Sequence, residues 1–134
     1  MNSQEPPQFD TTLPGQVVRG CEADKITEEF LRRFRNADPA KIPSNVPTAC
    51  MLQGRKGGGI FQSPKFLGKK RVFFFLESAS LLHSADPQAV VNYLAQREPW
   101  EDYDICLFDE SYEWCVGLTH NDDIIVSDPK EVFN

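Results

Sequence analysis

The sequence predicts a single α+β domain with a mixed or mainly antiparallel sheet of about five to six strands and two helices packed on one side. Helix-like and strand-like segments follow one another as helix, strands, helix and three strands, rather than alternating as in parallel folds. The length of 134 residues suits one domain with a buried core. The composition, 40% hydrophobic and 25% charged, is typical of globular proteins.

The first helix is expected after an irregular N-terminus. Residues 1–20 are rich in Pro, Gln, Thr and Gly without periodicity, so we expect a flexible lead-in before a domain spanning residues 21–134. Asp24 is a candidate N-cap for a helix over residues 25–36. Acidic residues lie near the start of this helix and arginines near its end, an arrangement that the helix dipole favours. Its apolar stripe consists of Ile26, Phe30, Leu31 and Phe34.

The middle of the chain is predicted to hold strands around a glycine-rich turn. Three prolines interrupt regular structure up to Pro47, and a short strand is expected over Thr48–Gln53. Gly54–Gly59 forms a flexible turn in this interpretation, after which Ile60–Gln62 pairs back. Val72–Leu76 is a run of five apolar residues bounded by charge, which predicts a central strand covered on both faces.

The last part of the chain is predicted to be a helix followed by a β-meander. Asp86 and Pro87 supply a cap and a first helical position for a helix that ends near Gln96. Turns rich in Asp, Asn and Ser separate the three strands that follow. These strands are expected over Tyr103–Phe108, Tyr112–Thr119 and Ile124–Val126.

The first two strands of this meander raise the question of a disulfide. If Glu110 and Ser111 form a two-residue loop, Phe108 opposes Glu113 and Cys106 faces Cys115 directly. The two thiols could then form a redox-sensitive bond, or they could pack as reduced apolar groups. A cytosolic setting favours the reduced form.

Acidic and basic residues are distributed unevenly along the chain, and this distribution indicates the kind of partner that the protein attracts. Eleven acidic residues and one base lie between Glu98 and Glu131, whereas seven bases and no acid lie between Lys41 and Arg71. The net charge of −6 argues against sequence-independent binding of nucleic acid by the whole surface. It fits a basic protein as the partner.

The acidic region combines carboxylates with aromatic rings, as a surface that binds a basic protein requires. The rings supply buried contact area and the charges steer the encounter. Alternatively, Trp100 and Trp114 fill the core and the carboxylates only keep the domain soluble. The predicted partner-binding residues are Glu101, Asp102, Asp109, Glu110, Tyr112 and Glu113.

The basic region supports a second hypothesis, binding of single-stranded nucleic acid through charge and stacking. Phe61 and Phe66 are interleaved with its bases, which are Arg55, Lys56, Lys65, Lys69, Lys70 and Arg71. The alternative is a solvated hairpin tip whose charge prevents edge-to-edge aggregation. Gly54–Gly59 is not a phosphate-binding loop, because Ile60 and Phe61 stand where Lys and Ser or Thr are needed.

Catalytic and metal-binding patterns are weak in this sequence. The four cysteines form no CxxC pair, so we expect no metal and no cofactor. His120 stands beside acidic residues in a segment that reads as a turn. A nucleophile built from Cys106 or Cys115 with His120 is a third hypothesis, but both cysteines lie in apolar strands. We expect a protein that is not an enzyme.

Targeting signals are missing from the sequence as well. Residues 1–13 lack the basic and apolar regions of a secretory signal. No apolar run approaches the roughly 20 residues that span a bilayer. We therefore expect a cytoplasmic protein without membrane partners.

The segment DICLFDESYEWCVGLTHND, residues 104–122, resembles the C-terminal hairpin of small bacterial proteins of unassigned function. In those proteins an acidic turn precedes a Trp-bearing strand that ends in a His-containing turn. Several of these families are similar in size and acidity to immunity proteins of interbacterial toxin systems. The resemblance covers about 20 of the 134 residues and implies a toxin antagonist that occludes an active site or another essential surface. The resemblance does not identify any functional residue in this chain.

Overall fold

The described part of the chain folds into one antiparallel sheet flanked by helices. The computed structural model describes residues 13–35, 47–96, 104–121 and 123–133. These residues form a single domain whose seven strands run in the order β1-β4-β3-β5-β6-β7-β2, each neighbouring pair antiparallel. The strands are β1 Gln16–Val17, β2 Arg55–Lys56, β3 Val72–Leu76, β4 Leu81–Ala85, β5 Ile105–Phe108, β6 Cys115–Leu118 and β7 Ile124–Ser127. The α+β class is confirmed, with more strands than predicted.

The helices of the described residues are α1 Gly20–Phe34, α2 Pro64–Leu67 and α3 Pro87–Gln96. α3 matches its prediction, because Asp86 caps the backbone amide of Gln88 at 3.1 Å beside a first-turn proline. α1 begins before the predicted cap. Arg19 at its N-cap makes no side-chain capping bond, so the start lacks the capping residue on which the prediction relied.

The central strand β3 explains why both faces of the sheet are covered. All five of its residues are buried, and it pairs with β4 on one side and β5 on the other. Phe73 and Phe75 belong to one apolar cluster, whereas Phe74 belongs to the cluster on the opposite face. The prediction of a central strand buried on both faces is confirmed.

The two long helices lie on opposite faces of the sheet, whereas the sequence predicted both on one side. Phe30 of α1 stacks on Phe108 at a centroid distance of 4.3 Å, in the cluster of Phe73 and Phe75. Tyr93 of α3 meets Phe74 edge-on at 5.4 Å in the other cluster. A strand with large apolar side chains on both faces requires cover on both, and one helix supplies each layer.

Several predictions for the edges of the sheet are wrong. Thr48–Cys50 is a 3₁₀ helix, not the start of a strand, and Gly58–Gln62 is also a 3₁₀ helix. The glycine-rich segment instead contributes the two-residue strand β2, which pairs with β7. β4, with polar His83 and Ser84 in it, was not predicted.

Part of the predicted lead-in takes a defined place in the fold. Residues 1–12 lie outside the described residues, but Leu13 is buried and β1 pairs with β4. The Nδ1 atom of buried His83 lies 2.9 Å from the carbonyl oxygen of Pro14. Residues 13–20 therefore belong to the domain rather than to a lead-in. None of the helices in the described residues has the length and apolar character needed to cross a membrane.

Candidate functional site

The hairpin formed by β5 and β6 carries a group of candidate functional side chains at each end. Ile105 faces Leu118, Cys106 faces Gly117 and Leu107 faces Val116. The predicted register, with Cys106 opposite Cys115, is therefore wrong by two positions. Because side chains alternate with a period of two, Cys106 and Cys115 still share one face and one buried cluster.

The longer connection between the strands follows from hydrogen bonds within the turn. Asp109 Oδ1 accepts bonds from the Ser111 backbone amide, at 3.0 Å, and from the Ser111 hydroxyl. The Tyr112 amide donates to the Asp109 carbonyl at 3.0 Å, and Tyr112 has φ 55. The Glu113 amide donates to Ser111 Oγ at 3.2 Å. Residues 109–113, called the acidic turn below, are thus fixed by their own side chains.

Asp109 has a structural role in this turn. Its side chain is 12% exposed, and its Oδ2 lies 3.2 Å from Lys69 Nζ. Lys69 also lies over the rings of Trp114 and Phe133, at 5.3 and 5.4 Å from their centroids. Asp109, a predicted partner-binding residue, and Lys69, a predicted nucleic-acid-binding residue, therefore form an ion pair within the domain.

The remaining groups of the acidic turn face solvent. Glu110 and Glu113 are exposed, and Tyr112 is half-buried. The Tyr112 ring stacks on Phe108 at 6.0 Å, and the Arg33 guanidinium lies 5.5 Å from its centroid. Glu101, Asp102 and Trp100, which were part of the same prediction, lie outside the described residues. Trp114 is fully buried and belongs to the core.

Of the two rings in the basic region, one is fully buried and the other is half-buried. Phe66 is fully buried and meets Phe61 edge-on at 5.5 Å within the core cluster. Lys56 pairs with Asp123, Nζ to Oδ1 at 3.3 Å, and the Arg71 guanidinium lies 4.8 Å from the Phe73 centroid. The bases of this region that are exposed are Arg55, Lys56, Lys65, Lys70 and Arg71.

The contacts of Asp109 predict a pH dependence of stability. Burial opposes its ionisation, but bonds from Ser111 and the Lys69 ammonium outweigh burial, so the pKa of Asp109 lies below its usual value. A lowered pKa in the folded state contributes stability above the ordinary Asp range, about pH 4, and that stability is lost as the pH falls through the folded pKa.

We expect Asp109→Asn to lower the free energy of unfolding by about 1–2 kcal/mol near pH 6, because a charged acceptor for Lys69 is lost. Urea denaturation of both proteins from pH 6 to pH 3 measures the difference. It should shrink as the pH falls, since the wild type then loses the same charge. A difference that stays constant with pH would contradict an ionised Asp109.

The opposite end of the hairpin gathers a cysteine, a carboxylate and a histidine. Asp104 directly precedes β5 and His120 follows β6, so both stand at the open end of this strand pair. His120 Nδ1 lies 3.0 Å from Asp104 Oδ1, which also accepts a bond from the His120 amide at 2.8 Å. Cys50 Sγ lies 3.6 Å from the same oxygen. The donor atoms of all three side chains lie within 4.8 Å of one another.

Gly117 allows Cys50 to reach the hairpin. A Cβ atom added at Gly117 would stand 2.7 Å from Leu52 Cδ1 and 3.0 Å from the Ala49 carbonyl oxygen. The 3₁₀ helix Thr48–Cys50 thus packs its backbone directly on β6. Its first residue is bound as well, because the Thr48 amide and hydroxyl donate to Glu77 at 2.6 and 2.8 Å.

The thiol chemistry does not favour a cysteine nucleophile at either place. Partial desolvation of the Cys50 thiol raises its pKa although the residue lies at the surface, and the neighbouring carboxylate of Asp104 raises it further. The adjacent Cys115 thiol and burial raise the pKa of Cys106 well above its ordinary value. Both thiols are thereby held protonated near neutral pH. The predicted grouping of His120 with Cys106 or Cys115 is replaced by contact of His120 with Asp104, beside Cys50.

Cys50 and Asp104 are members of this group that the sequence did not single out. A signal for Asp104 exists, since the correct strand register places it next to Thr119 and hence beside His120. The assumed two-residue loop hid that proximity. Cys50 has no comparable signal, because its place depends on tertiary packing against Gly117.

Thr119 Oγ1 accepts the Asn121 and Asp123 amides, which agrees with the predicted turn.

Known proteins give no further guide to these two groups. Comparisons with protein-family models, with curated proteins and with solved structures find no match to this chain.

Proposed function

We propose that this protein is a non-enzymatic binding module whose acidic turn docks on a basic partner protein. In its sharpest form it is an immunity-type antagonist that occludes the active site, or another essential surface, of a basic bacterial toxin. The observation that carries the proposal is the fixed acidic turn, in which Asp109 organises the backbone while Glu110 and Glu113 remain exposed on either side of Tyr112.

A turn of this kind suits a binding surface because little of it must be ordered on association. The Asp109 side chain and the Ser111 hydroxyl already hold the backbone of the free protein. Side chains presented from a preformed loop lose less conformational freedom on binding, so more of the contact energy appears as affinity. Glu110 and Glu113 would steer a basic surface, and carboxylates can take the positions of phosphates in a nuclease-type cleft.

Tyr112 is the anchor in this proposal. Its ring stacks on Phe108 and contacts the Arg33 guanidinium, which fixes its orientation, and the side chain is half-buried in the free protein. Tyrosine is enriched among residues that dominate binding energy, since it adds apolar area and a hydroxyl at low entropic cost. The two glutamates supply the charge around it.

Nucleic-acid binding through the basic region has weaker support. Its charge is exposed, but Phe66 is in the core and Phe61 packs against it. Lys69 is held by Asp109. A strand of nucleic acid would meet charge without stacking surfaces, and stacking supplies much of the affinity for single strands.

We expect Glu110→Lys/Glu113→Lys to slow association with the basic partner by about tenfold or more at low salt. Asp109 is left intact because its replacement alters the turn itself. The association rate constant is measured by surface plasmon resonance across a range of salt concentrations. The partner is the protein that the wild type retains from lysate of its source cells.

A matched control separates the turn from net charge. Glu22 and Asp24 are exposed on the first turns of α1, far along this 15-residue helix from Arg33. The variant Glu22→Lys/Asp24→Lys changes the total charge equally and should slow association much less. Equal slowing by both variants, or none by the first, would contradict docking by the acidic turn.

A further inference from the structure

We propose that Cys50, Asp104 and His120 form a zinc-binding site at the open end of the β5–β6 hairpin. The site is distinct from the acidic turn, which connects β5 and β6 at the hairpin's other end. It is therefore independent of the proposed docking function.

The spacing of the donor atoms suits one tetrahedral ion. Zinc binds thiolate at about 2.3 Å and imidazole or carboxylate at about 2.0–2.2 Å, which places the donors of a tetrahedral site about 3.4–3.6 Å apart. Cys50 Sγ is 3.6 Å from Asp104 Oδ1, and His120 Nδ1 is 3.0 and 3.2 Å from the two Asp104 oxygens. An ion among these atoms requires shifts of a few tenths of an ångström for these two pairs. The Cys50 and His120 donor atoms lie within 4.8 Å of each other, so that pair closes by at most about 1.2 Å.

The chemistry of the donors selects the metal. A thiolate and an imidazole are borderline-to-soft ligands, which favour zinc and related transition metals over magnesium or calcium. A single carboxylate adds negative charge without creating the all-oxygen shell that the hard cations need. On binding, the Cys50 thiol loses its proton to solvent and the sulfur takes the metal in its place.

The three ligands are held by parts of the fold that are already fixed. Asp104 Oδ1 accepts the His120 amide, so the carboxylate and the histidine backbone are joined directly. The 3₁₀ helix of Cys50 is bound at Thr48 by Glu77 and lies against Gly117. Contacts of this kind orient metal ligands before the metal arrives and raise affinity.

The arrangement fits a metal better than a catalytic cysteine. In a cysteine nucleophile the histidine stands between the thiol and the carboxylate. Here Asp104 lies in hydrogen-bond contact with both Cys50 and His120. A carboxylate in the middle position is too weak a base to remove the thiol proton. It can, however, bind the same cation as the cysteine and the histidine on either side of it.

Two of the three ligands lie at the surface of the described part of the chain. Cys50 and His120 are exposed at the surface. Zinc sites with three protein ligands and one open position bind water or an incoming group there. Among the described residues three side chains supply donor atoms here, so a tetrahedral ion would take one further donor.

Cobalt substitution tests the site on the full chain in the reduced state. Co²⁺ titrated into the protein near neutral pH should produce a sulfur-to-cobalt absorption band in the near ultraviolet and visible bands of tetrahedral intensity. Zn²⁺ should abolish both by displacement. Cys50→Ser should remove the sulfur band, and Cys50→Ser or His120→Gln should weaken binding of Zn²⁺ by about 100-fold or more, exceeding the loss typical of outer-shell changes.

The exposed Cys21 provides a matched control. Cys21→Ser should leave the cobalt spectrum and the zinc affinity unchanged, and circular dichroism should show native secondary structure in every variant. Zn²⁺ should raise the melting temperature of the wild type and of Cys21→Ser but not of Cys50→Ser. Absence of tetrahedral bands in the wild type at submillimolar Co²⁺, or a sulfur band that survives Cys50→Ser, would overturn the site.

Discussion

Glu77→Ala is expected to lower the free energy of unfolding by about 2–5 kcal/mol, because it leaves a buried backbone amide and a buried hydroxyl without their acceptor. The Thr48 amide and hydroxyl donate to the two Glu77 oxygens, and Thr48 is fully buried. Arg35 Nη1 lies 3.6 Å from Glu77 Oε2, with both side chains largely shielded from solvent. Urea denaturation followed by circular dichroism measures the change.

Two further variants show whether the loss comes from these bonds. Glu77→Gln keeps one acceptor oxygen and should lose less stability than Glu77→Ala. Glu28→Ala, an exposed position on α1, should change the free energy of unfolding by less than about 0.5 kcal/mol. If Glu77→Ala matched Glu28→Ala, the anchoring of the Thr48–Cys50 3₁₀ helix by Glu77 would be disproved.

Gly117→Val is expected to lower the free energy of unfolding by about 2–3 kcal/mol through a steric clash. The first added carbon already meets Leu52 Cδ1 at 2.7 Å and the Ala49 carbonyl oxygen at 3.0 Å, and valine adds two methyl groups to it. The leucine tip can move, but the Ala49 backbone belongs to the 3₁₀ helix that Glu77 holds. The same denaturation experiment reports the loss.

The size of the side chain provides the control for this prediction. Gly117→Ala should have a smaller effect, since Leu52 can yield to a single methyl group. Gly59→Ala should be nearly neutral, because a Cβ there meets nothing within 4 Å. We also expect Gly117→Val to weaken Zn²⁺ binding, since it displaces Cys50. Gly117→Val with unchanged stability would contradict direct packing of Ala49 on β6.

Elements with a strong local signal were predicted well from the sequence. Val72–Leu76 is apolar throughout and bounded by charge, which only a buried strand accommodates in so short a segment. α3 combines the Asp86 cap, Pro87 and an apolar face that includes Val90 and Tyr93. Local chemistry and tertiary environment agree in these segments.

Elements that depend on tertiary partners were missed. β4 contains His83 and Ser84, and it is a strand because β3 and β1 pair with it from both sides. The opposite placement of α1 and α3 follows from the two apolar faces of β3, but a sequence does not show which face each helix covers. Contacts between segments distant in sequence thus determine both the strand β4 and the placement of the two helices.

The candidate sites show the same division. The sequence singled out Glu110, Tyr112 and Glu113 because charge beside an aromatic ring is a local pattern, and their role in binding stays a prediction. The internal contact of Asp109 depends on Lys69, forty residues earlier. Cys50 and Asp104 are separated by 54 residues and meet only through the fold. Such a group becomes visible when the strand register and the packing at Gly117 are known.

The central claim is that the acidic turn binds a basic protein, and a quantitative capture experiment tests it most directly. Tagged wild type, Glu110→Lys/Glu113→Lys and Glu22→Lys/Asp24→Lys are each incubated at low salt with lysate of the source cells, with and without nuclease treatment. Retained proteins are compared by mass spectrometry, and retained nucleic acid is measured by staining. We predict one basic protein that the wild type and Glu22→Lys/Asp24→Lys retain and the acidic-turn variant loses. Equal retention by all three proteins, or recovery only of nucleic acid that nuclease removes, would contradict the claim.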